Sequence, residues 1–323
     1  RLTDSGLGCP DWPGCYGNAS PVGARAEIAA AQNAMPTGPV THGKAWIEMI
    51  HRYLATGVGV LILTLAVSTW LERRRNQGRV PVSPWWPTTT LVWVCIQGAF
   101  GALTVTMKLF PLIVTLHLLG GLVLLALLCA QAVSHDRAAS ERSRIALSLS
   151  TRMGLLAVTA LVWVQVALGG WVSTNYAVLA CNEFPLCQGR WWPNSDFAQG
   201  FELWRELGKT AAGEHIGFDA LTAIHMAHRL MALVVLVALI WLVHALARVP
   251  SMRTQARWLG ALAALQLVSG LSNVVLDWPL VAAVGHTGGA AGLVVVLTWA
   301  ACASRTAMDT VSASKLNATR LTT

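Results

Sequence analysis

Seven long stretches without a single charged residue constrain the fold of this chain more than any other feature of its sequence. Each stretch approaches or exceeds the roughly 20 residues that a helix needs to cross about 30 Å of hydrocarbon. Because lipid offers the backbone no hydrogen-bond partners, spanning segments of this composition must be helical. The stretches are 53–71, 85–107, 109–134, 153–182, 230–247, 258–276 and 278–304. The sequence therefore predicts an all-α polytopic membrane protein, and a composition of 54% apolar and 12% charged residues excludes a soluble one.

Basic residues concentrate in three short loops between these stretches. They are Arg73, Arg74, Arg75 and Arg79 in the first loop, Arg137, Arg142, Arg144 and Arg152 in the second, and Arg248, Arg253 and Arg257 in the third. The loops alternate with segments poorer in basic residues, which is the positive-inside pattern and assigns them to the cytoplasm or matrix. The segments 1–44 and 173–217 then face outward. Membrane topology therefore accounts for the net charge of +8 without a nucleic-acid surface, and the preference for Arg over Lys favours a bacterial inner (plasma) membrane over a mitochondrial one.

Four of the seven cysteines form two close pairs in the outward segments. The pairs are Cys9 with Cys15 and Cys181 with Cys187. An oxidising outer compartment favours a disulfide in each pair, while a reduced thiol pair or a metal clip is the alternative. The remaining cysteines, Cys95, Cys129 and Cys302, occur singly within predicted helices and are typical of small core residues.

Three groups of motifs recur at matched spacing in two halves of the chain. They are the cysteine segments 9–15 and 181–187, the histidine segments 48–52 and 225–229, and the glycine-to-histidine segments 101–117 and 270–286. Recurrence in the same order predicts two pseudo-repeated four-helix bundles. The halves are 1–133 and 153–304, joined by the inner linker 134–152 and followed by a tail, 305–323. Only three helices fall in the first half, so we expect that a first helix, which would precede Arg1, is missing from this chain.

Four histidines lie within the spans at one depth, two in each half: His51, His117, His228 and His286. Ionisable residues at membrane depth are costly and usually face a bundle interior with a partner. Histidine is a standard axial ligand of haem iron, so this constellation favours haem ligation. A helix-to-helix hydrogen bond is the alternative for any one of these histidines.

Residues beside the four histidines suit a flat ligand. Small residues follow on the same helical face, which leaves room for a porphyrin plane: Ala55, Gly120, Gly121, Ala232, Gly289 and Ala290. Arg52 and Arg229 directly follow two of the histidines and could neutralise haem propionates near the outer surface. Their alternative role is interfacial snorkelling.

The halves differ at Glu48, which is replaced by His225 in the second half. Glu48 lies three residues before His51 on the same helical face and could act as a general base. An ion pair with Arg52 is the alternative. A di-iron site is rejected because the other spans supply no further carboxylates.

The sequence resembles the haem A synthase family over essentially the whole chain. The segment Leu2-Thr-Asp-Ser-Gly-Leu-Gly-Cys-Pro-Asp-Trp-Pro13 is similar to the outer loop after that family's first helix. The glutamate and the four histidines described above also fall where the family places its own. The resemblance implies oxidation of the C8 methyl group of haem O to a formyl group, giving haem A for terminal oxidases.

The resemblance also implies roles for individual residues. His228 and His286 would ligate a resident haem b, and His51 and His117, with Glu48, would handle the substrate haem O. The loop closed by Cys9 and Cys15 would cover the catalytic half. Partners implied for the family are the haem O synthase and the cytochrome oxidase assembly factors. Membrane lipid surrounds the spans.

Two other functions compete with this interpretation. A non-catalytic bis-His dihaem cytochrome b would share the paired histidines but leave the Glu48/His225 difference unexplained. A haem carrier would bind haem and leave it chemically unchanged. The sequence leaves open the electron acceptor or donor and whether the chain forms a homo-oligomer.

Overall fold

The computed structural model describes residues 3–78 and 80–307. Arg79 of the first basic loop, Leu2 of the N-terminal motif and residues 308–323 of the expected tail lie outside the described residues. The helices are α1 (Arg25–Ala34), α2 (His42–Arg75), α3 (Trp85–Thr106), α4 (Pro111–Ala139), α5 (Leu149–Thr174), α6 (Phe197–Gly200), α7 (Phe218–Ala247), α8 (Arg253–Val275) and α9 (Leu280–Ala303). Two short strands, β1 (Ile145–Leu147) and β2 (Ser304–Thr306), pair in parallel.

Seven of these helices, α2 to α5 and α7 to α9, are long and apolar enough to cross a membrane. The prediction of an all-α polytopic membrane protein is therefore confirmed. Several helices run past the uncharged stretches because a helix can carry charged residues in its end turns. The last turn of α2, for example, contains Arg73, Arg74 and Arg75, whose positive charges favour the negative end of the helix dipole.

The uncharged stretch 153–182 does not form one helix to its end. Helix α5 stops at Thr174, and a short 3-10 turn covers Ala177–Ala180. The stop has a local cause: Asn175 donates from its side chain to the Trp171 carbonyl at 2.8 Å, and Tyr176 adopts a left-handed φ of 55°. The length of the uncharged stretch could not predict this turn, because the turn contains no charged residue that would mark the end of the helix.

The largest core cluster lies among α5, α7, α8 and α9. Its fully buried members include Leu155, Leu239, Leu242, Leu259 and Leu297. Helix α4 packs on both α5 and α9 and so joins the first three spans to this core. In lipid such packing depends on close van der Waals contact between helices, since the tails are as apolar as the side chains.

The ends of the bundle are tied by local contacts. On the side of the basic loops, β1 pairs with β2, and Arg152 donates to the Ala301 carbonyl and the Ser304 hydroxyl, both at 2.8 Å. On the opposite side, Cys9 is bonded to Cys15 and Cys181 to Cys187, which confirms both predicted disulfides. Each loop also closes through a matching backbone bridge, Cys15 with Asn18 and Cys187 with Arg190.

Candidate functional site

The structure brings His228 of α7 and His286 of α9 together. Their ring centres lie 6.4 Å apart, and the ring planes are inclined by 76°. Each imidazole packs against a glycine of a neighbouring helix. A Cβ atom on Gly169 would lie 3.0 Å from Cε1 of His228, and one on Gly270 would lie 3.3 Å from Cε1 of His286. The glycines therefore let α5 approach His228 on α7, and α8 approach His286 on α9, closely enough to hold each ring.

This separation fits a single metal centre between the rings. Two imidazole–metal bonds of about 2 Å, with about 1.2 Å from each ligating nitrogen to its ring centre, put the ring centres about 6 Å apart. Among residues 3–78 and 80–307, no group of three or more His, Cys, Asp or Glu side chains could hold a bare metal ion. Two opposed imidazoles are instead the ligand set of a haem iron, whose other ligands belong to the porphyrin. The residues present therefore fit a haem.

Polar side chains on α5 and α8 hold the two rings. The amide nitrogen of Gln165 lies 3.1 Å from Nδ1 of His228 and donates to the backbone oxygen of His228 at 3.2 Å. Gln266 donates in the same way to the His286 backbone oxygen at 2.8 Å, and the Ser269 hydroxyl lies 3.0 Å from Nδ1 of His286. Such outer contacts fix the orientation of ligating imidazoles.

The first-half histidines are placed differently. His117 on α4 is half-buried and packs against Gly101 of α3, whose Cβ would lie 3.4 Å from Cε1 of the ring. His51 on α2 is exposed, and it lies close enough to His117 for the two rings to interact electrostatically. Its counterpart in the second half, His228, is covered by α5 through Gly169. The first pair therefore forms a more open site than the second.

Glu48 is buried beside the first cysteine loop, with 9% of its surface exposed. Its Oε2 atom accepts a hydrogen bond from the backbone N–H of Cys9 at 2.9 Å, and its Oε1 atom accepts one from Arg52. The ion pair that the sequence offered as the alternative role of Glu48 is thus present. The carboxylate also connects the helix of His51 directly to the disulfide loop.

Both arginines that follow a histidine anchor a cysteine loop. Arg52 donates to the backbone carbonyls of Asp11 and Pro13, at 2.9 and 3.1 Å, and to that of Gly14. Arg229 donates to the carbonyls of Cys181, Glu183 and Leu186 at 2.9 to 3.1 Å. These contacts give each guanidinium a structural role that the sequence pattern did not indicate.

His225, which the predicted repeat aligns with Glu48, donates through Nδ1 to the Ala177 carbonyl at 3.0 Å. Its side chain is buried and anchors the 3-10 turn after α5 to α7. The difference between the halves at this position is therefore a carboxylate bound to a loop amide in one and an imidazole bound to a loop carbonyl in the other.

Two polar contacts outside the spans were not expected from the sequence. Asp4 accepts from Lys44 and from the Tyr176 hydroxyl, both at 2.8 Å, and the Lys44 hydrogen bond lowers the pKa of the Asp4 carboxyl. Arg205 is buried over the Trp171 ring and donates to the Asn175 side chain; burial lowers the pKa of its guanidinium. Neither contact has a local sequence pattern, since each joins residues far apart in the chain.

Sequence reasoning also missed a glutamine four residues before each glycine that faces a histidine. The three segments are 97–101, 165–169 and 266–270. In each, the backbone carbonyl of the glutamine is a polar neighbour of the histidine ring. The recurring Gln-x-x-x-Gly spacing was the signal that could have revealed them, because residues four apart share one helical face.

Comparisons with known proteins identify the family of this chain. The family model COX15-CtaA, described as cytochrome oxidase assembly protein, matches residues 1–298. A haem A synthase of Shewanella oneidensis is 38% identical over 303 residues, which cover 92% of this chain and 88% of that protein.

More distant relatives carry the same name. A haem A synthase of Mesorhizobium japonicum is 27% identical over 93% of this chain and 82% of its own length. One of Bacillus licheniformis is 28% identical over 65% of this chain and 62% of its own length. Seven candidate spans and bacterial relatives together identify a multi-pass bacterial membrane protein. With its family model matched over nearly the whole length and a relative 38% identical over 92% of it, the chain belongs to the haem A synthase family of cytochrome oxidase assembly proteins.

Proposed function

We propose that this chain is a haem A synthase, which oxidises the C8 methyl group of haem O to a formyl group and so provides haem A for terminal oxidases. The observation that carries the proposal is the opposed pair His228 and His286, with ring centres 6.4 Å apart, in a chain of this family. The reaction removes hydrogen and electrons from the methyl carbon and adds an oxygen atom, so it requires an electron acceptor and an oxygen source, which is water or O2.

The second half, 153–304, is proposed to hold a resident haem b between His228 and His286. One-electron transfer is the chemistry that such a haem supplies. The protein's own contribution is to fix both imidazoles through Gln165, Gln266 and Ser269. Packing of His228 against Gly169 of α5 and of His286 against Gly270 of α8 limits access to the half-buried pair and disfavours exchange of the group.

The first half, 1–133, is proposed to receive haem O through His51 and His117. The exposure of His51 supports this assignment, because a substrate site must admit haem O and release haem A. Glu48 lies three residues before His51 on one helical face. We assign it the role of general base, which accepts at Oε2 a proton released during oxidation of the methyl group.

Arg52 and Arg229 are still proposed to bind haem propionates, now as side chains that the cysteine loops hold in place. Each guanidinium lies at the outer end of its histidine helix and already donates to loop carbonyls. A bound propionate would therefore meet an arginine that the loop holds in place. The Cys9–Cys15 and Cys181–Cys187 loops are proposed to face the periplasm, opposite the three basic loops. The linker 134–152 then lies in the cytoplasm.

The proposed partners follow from the reaction. The haem O synthase supplies the substrate, and cytochrome oxidase assembly factors receive the product. No contact surface is assigned to either partner.

The central test replaces Glu48 by Gln, which keeps the shape and an acceptor oxygen for the Cys9 amide but removes both the base and the ion pair with Arg52. Membranes containing the variant receive haem O, and extracted haems are identified by mass spectrometry. We expect haem b content to be retained while hydroxylated and formyl haem fall by about 10²-fold or more, the contribution of a general base.

The matched control is Glu72→Gln, which removes the same charge from an exposed position at the other end of α2. It should leave turnover unchanged. Loss of haem b together with activity in Glu48→Gln would assign Glu48 a structural role. Wild-type protein that binds haem but never modifies haem O would favour the electron-transfer cytochrome b or the haem carrier.

A further inference from the structure

The histidines of α4 and α9 differ in the partner of their Nδ1 atom. His286 Nδ1 lies 3.0 Å from the Ser269 hydroxyl oxygen, and this hydroxyl donates its only hydrogen to the Leu265 carbonyl at 2.6 Å. With that hydrogen committed, the Ser269 oxygen can only accept from the ring. His286 is therefore held with its hydrogen on Nδ1, which leaves the lone pair of Nε2 available to a metal.

His117 lacks such a partner. Its Nδ1 atom is buried, and no described residue forms a hydrogen bond with it. The backbone carbonyl of Gln97 is near the ring, but outside the geometry of a hydrogen bond to Nδ1. The residue that corresponds to Ser269, one position before the glycine that faces the ring, is Phe100.

The surroundings of the two histidines share two features. A Cβ on Gly101 would lie 3.4 Å from Cε1 of His117, and the equivalent distance from Gly270 to His286 is 3.3 Å. In each half a glutamine side chain of the facing helix also packs against the glycine three residues after the histidine, Gln97 on Gly120 and Gln266 on Gly289. With these features shared, the exchange of Ser for Phe is the difference that acts directly on the Nδ1 atom of the histidine.

We infer that Ser269 is a positioning residue that makes His286 a fixed and strongly donating axial ligand, whereas Phe100 leaves His117 a weaker one. A hydrogen bond from Nδ1–H to an acceptor increases the basicity of Nε2 and fixes the ring. A more basic axial ligand stabilises ferric over ferrous iron and so lowers the reduction potential. The second half is thereby built to retain its haem, and the first half to exchange it. This inference rests on the proposed ligation of haem by these histidines.

The test uses the full-length purified protein saturated with ferric haem b, with redox titration followed by the visible spectrum and haem release followed by transfer to apomyoglobin. In Ser269→Ala we expect a more positive midpoint potential for one of the two haems and about tenfold faster release of that haem, as for other outer partners of ligating histidines. Ser269→Thr retains a hydroxyl and should restore both values. In the reciprocal variant Phe100→Ser, the more weakly held haem should be released about tenfold more slowly.

Ser272→Ala is the matched control, because the Ser272 hydroxyl on the same helix donates to the Val268 carbonyl at 2.8 Å in the same way. It should change neither potential nor release. Ser269→Ala with wild-type values, or Ser272→Ala with the same shift, would overturn the inference. Wild-type protein that takes up no bis-histidine haem would instead overturn the proposed function, and that result is visible before any variant is compared. If Ser269→Ala does not fold, the Phe100→Ser and Ser269→Thr measurements decide the question.

Discussion

At the scale of single residues, the charge of Arg229 could be interpreted from the local sequence, but its hydrogen bonds to the cysteine loop could not. The dipeptide His228-Arg229 indicated a charge near haem propionates, but the direction of the Cys181, Glu183 and Leu186 carbonyls that receive its hydrogen bonds depends on the folded loop. In Arg229→Lys, the single ammonium group cannot replace this fork. Loss of one charge-assisted hydrogen bond costs about 1.5–3 kcal/mol, so a water-soluble phosphine should reduce the buried loop disulfide at least about tenfold faster. Thiol labelling against time measures the rate. Unchanged reduction combined with loss of haem would mean that the propionate role dominates.

At the scale of helices, hydropathy predicted all seven spans because it is a local property. The constant spacing from glycine to histidine indicated only a repeat, and the structure adds that Gly101 and Gly270 face the histidine rings. The packing of α5 on α7 was not predictable in this way, since Gly169 and His228 are far apart in the chain. A leucine at Gly169 would begin with a Cβ only 3.0 Å from the His228 ring and would displace the imidazole. We expect Gly169→Leu to insert normally and to lose most of the second-half haem, measured as haem per protein after purification. Gly98→Leu, at a glycine with open space around its Cβ position, is the control and should retain haem. Equal haem content in both variants would contradict the assigned close approach.

At the scale of the whole molecule, two polar contacts of different strength supplement the packing of α4 on α5 and α9, which joins the halves. Thr115 and Thr174 share a buried hydroxyl pair at 3.1 Å, whereas Asp4 connects Lys44 to Tyr176 on the outer surface. The pKa of Asp4 is lowered in the folded chain, so its contribution to stability is present above the ordinary carboxyl pKa of 3.8 and disappears as pH falls through the lower folded value. Asp4 is largely exposed, which limits this contribution to less than about 1 kcal/mol. Asp4→Asn should therefore reduce thermal stability slightly and equally from pH 5 to 8, and not at all below the folded pKa. Thr115→Val removes this buried pair and leaves the Thr174 hydroxyl only its longer hydrogen bond to the Trp171 carbonyl, at 3.3 Å, so it should cost more, at least about 1 kcal/mol, at every pH. A pH-dependent loss in Thr115→Val, or a larger loss in Asp4→Asn, would reverse this ranking and make the outer ion pair the stronger of the two polar contacts between the halves.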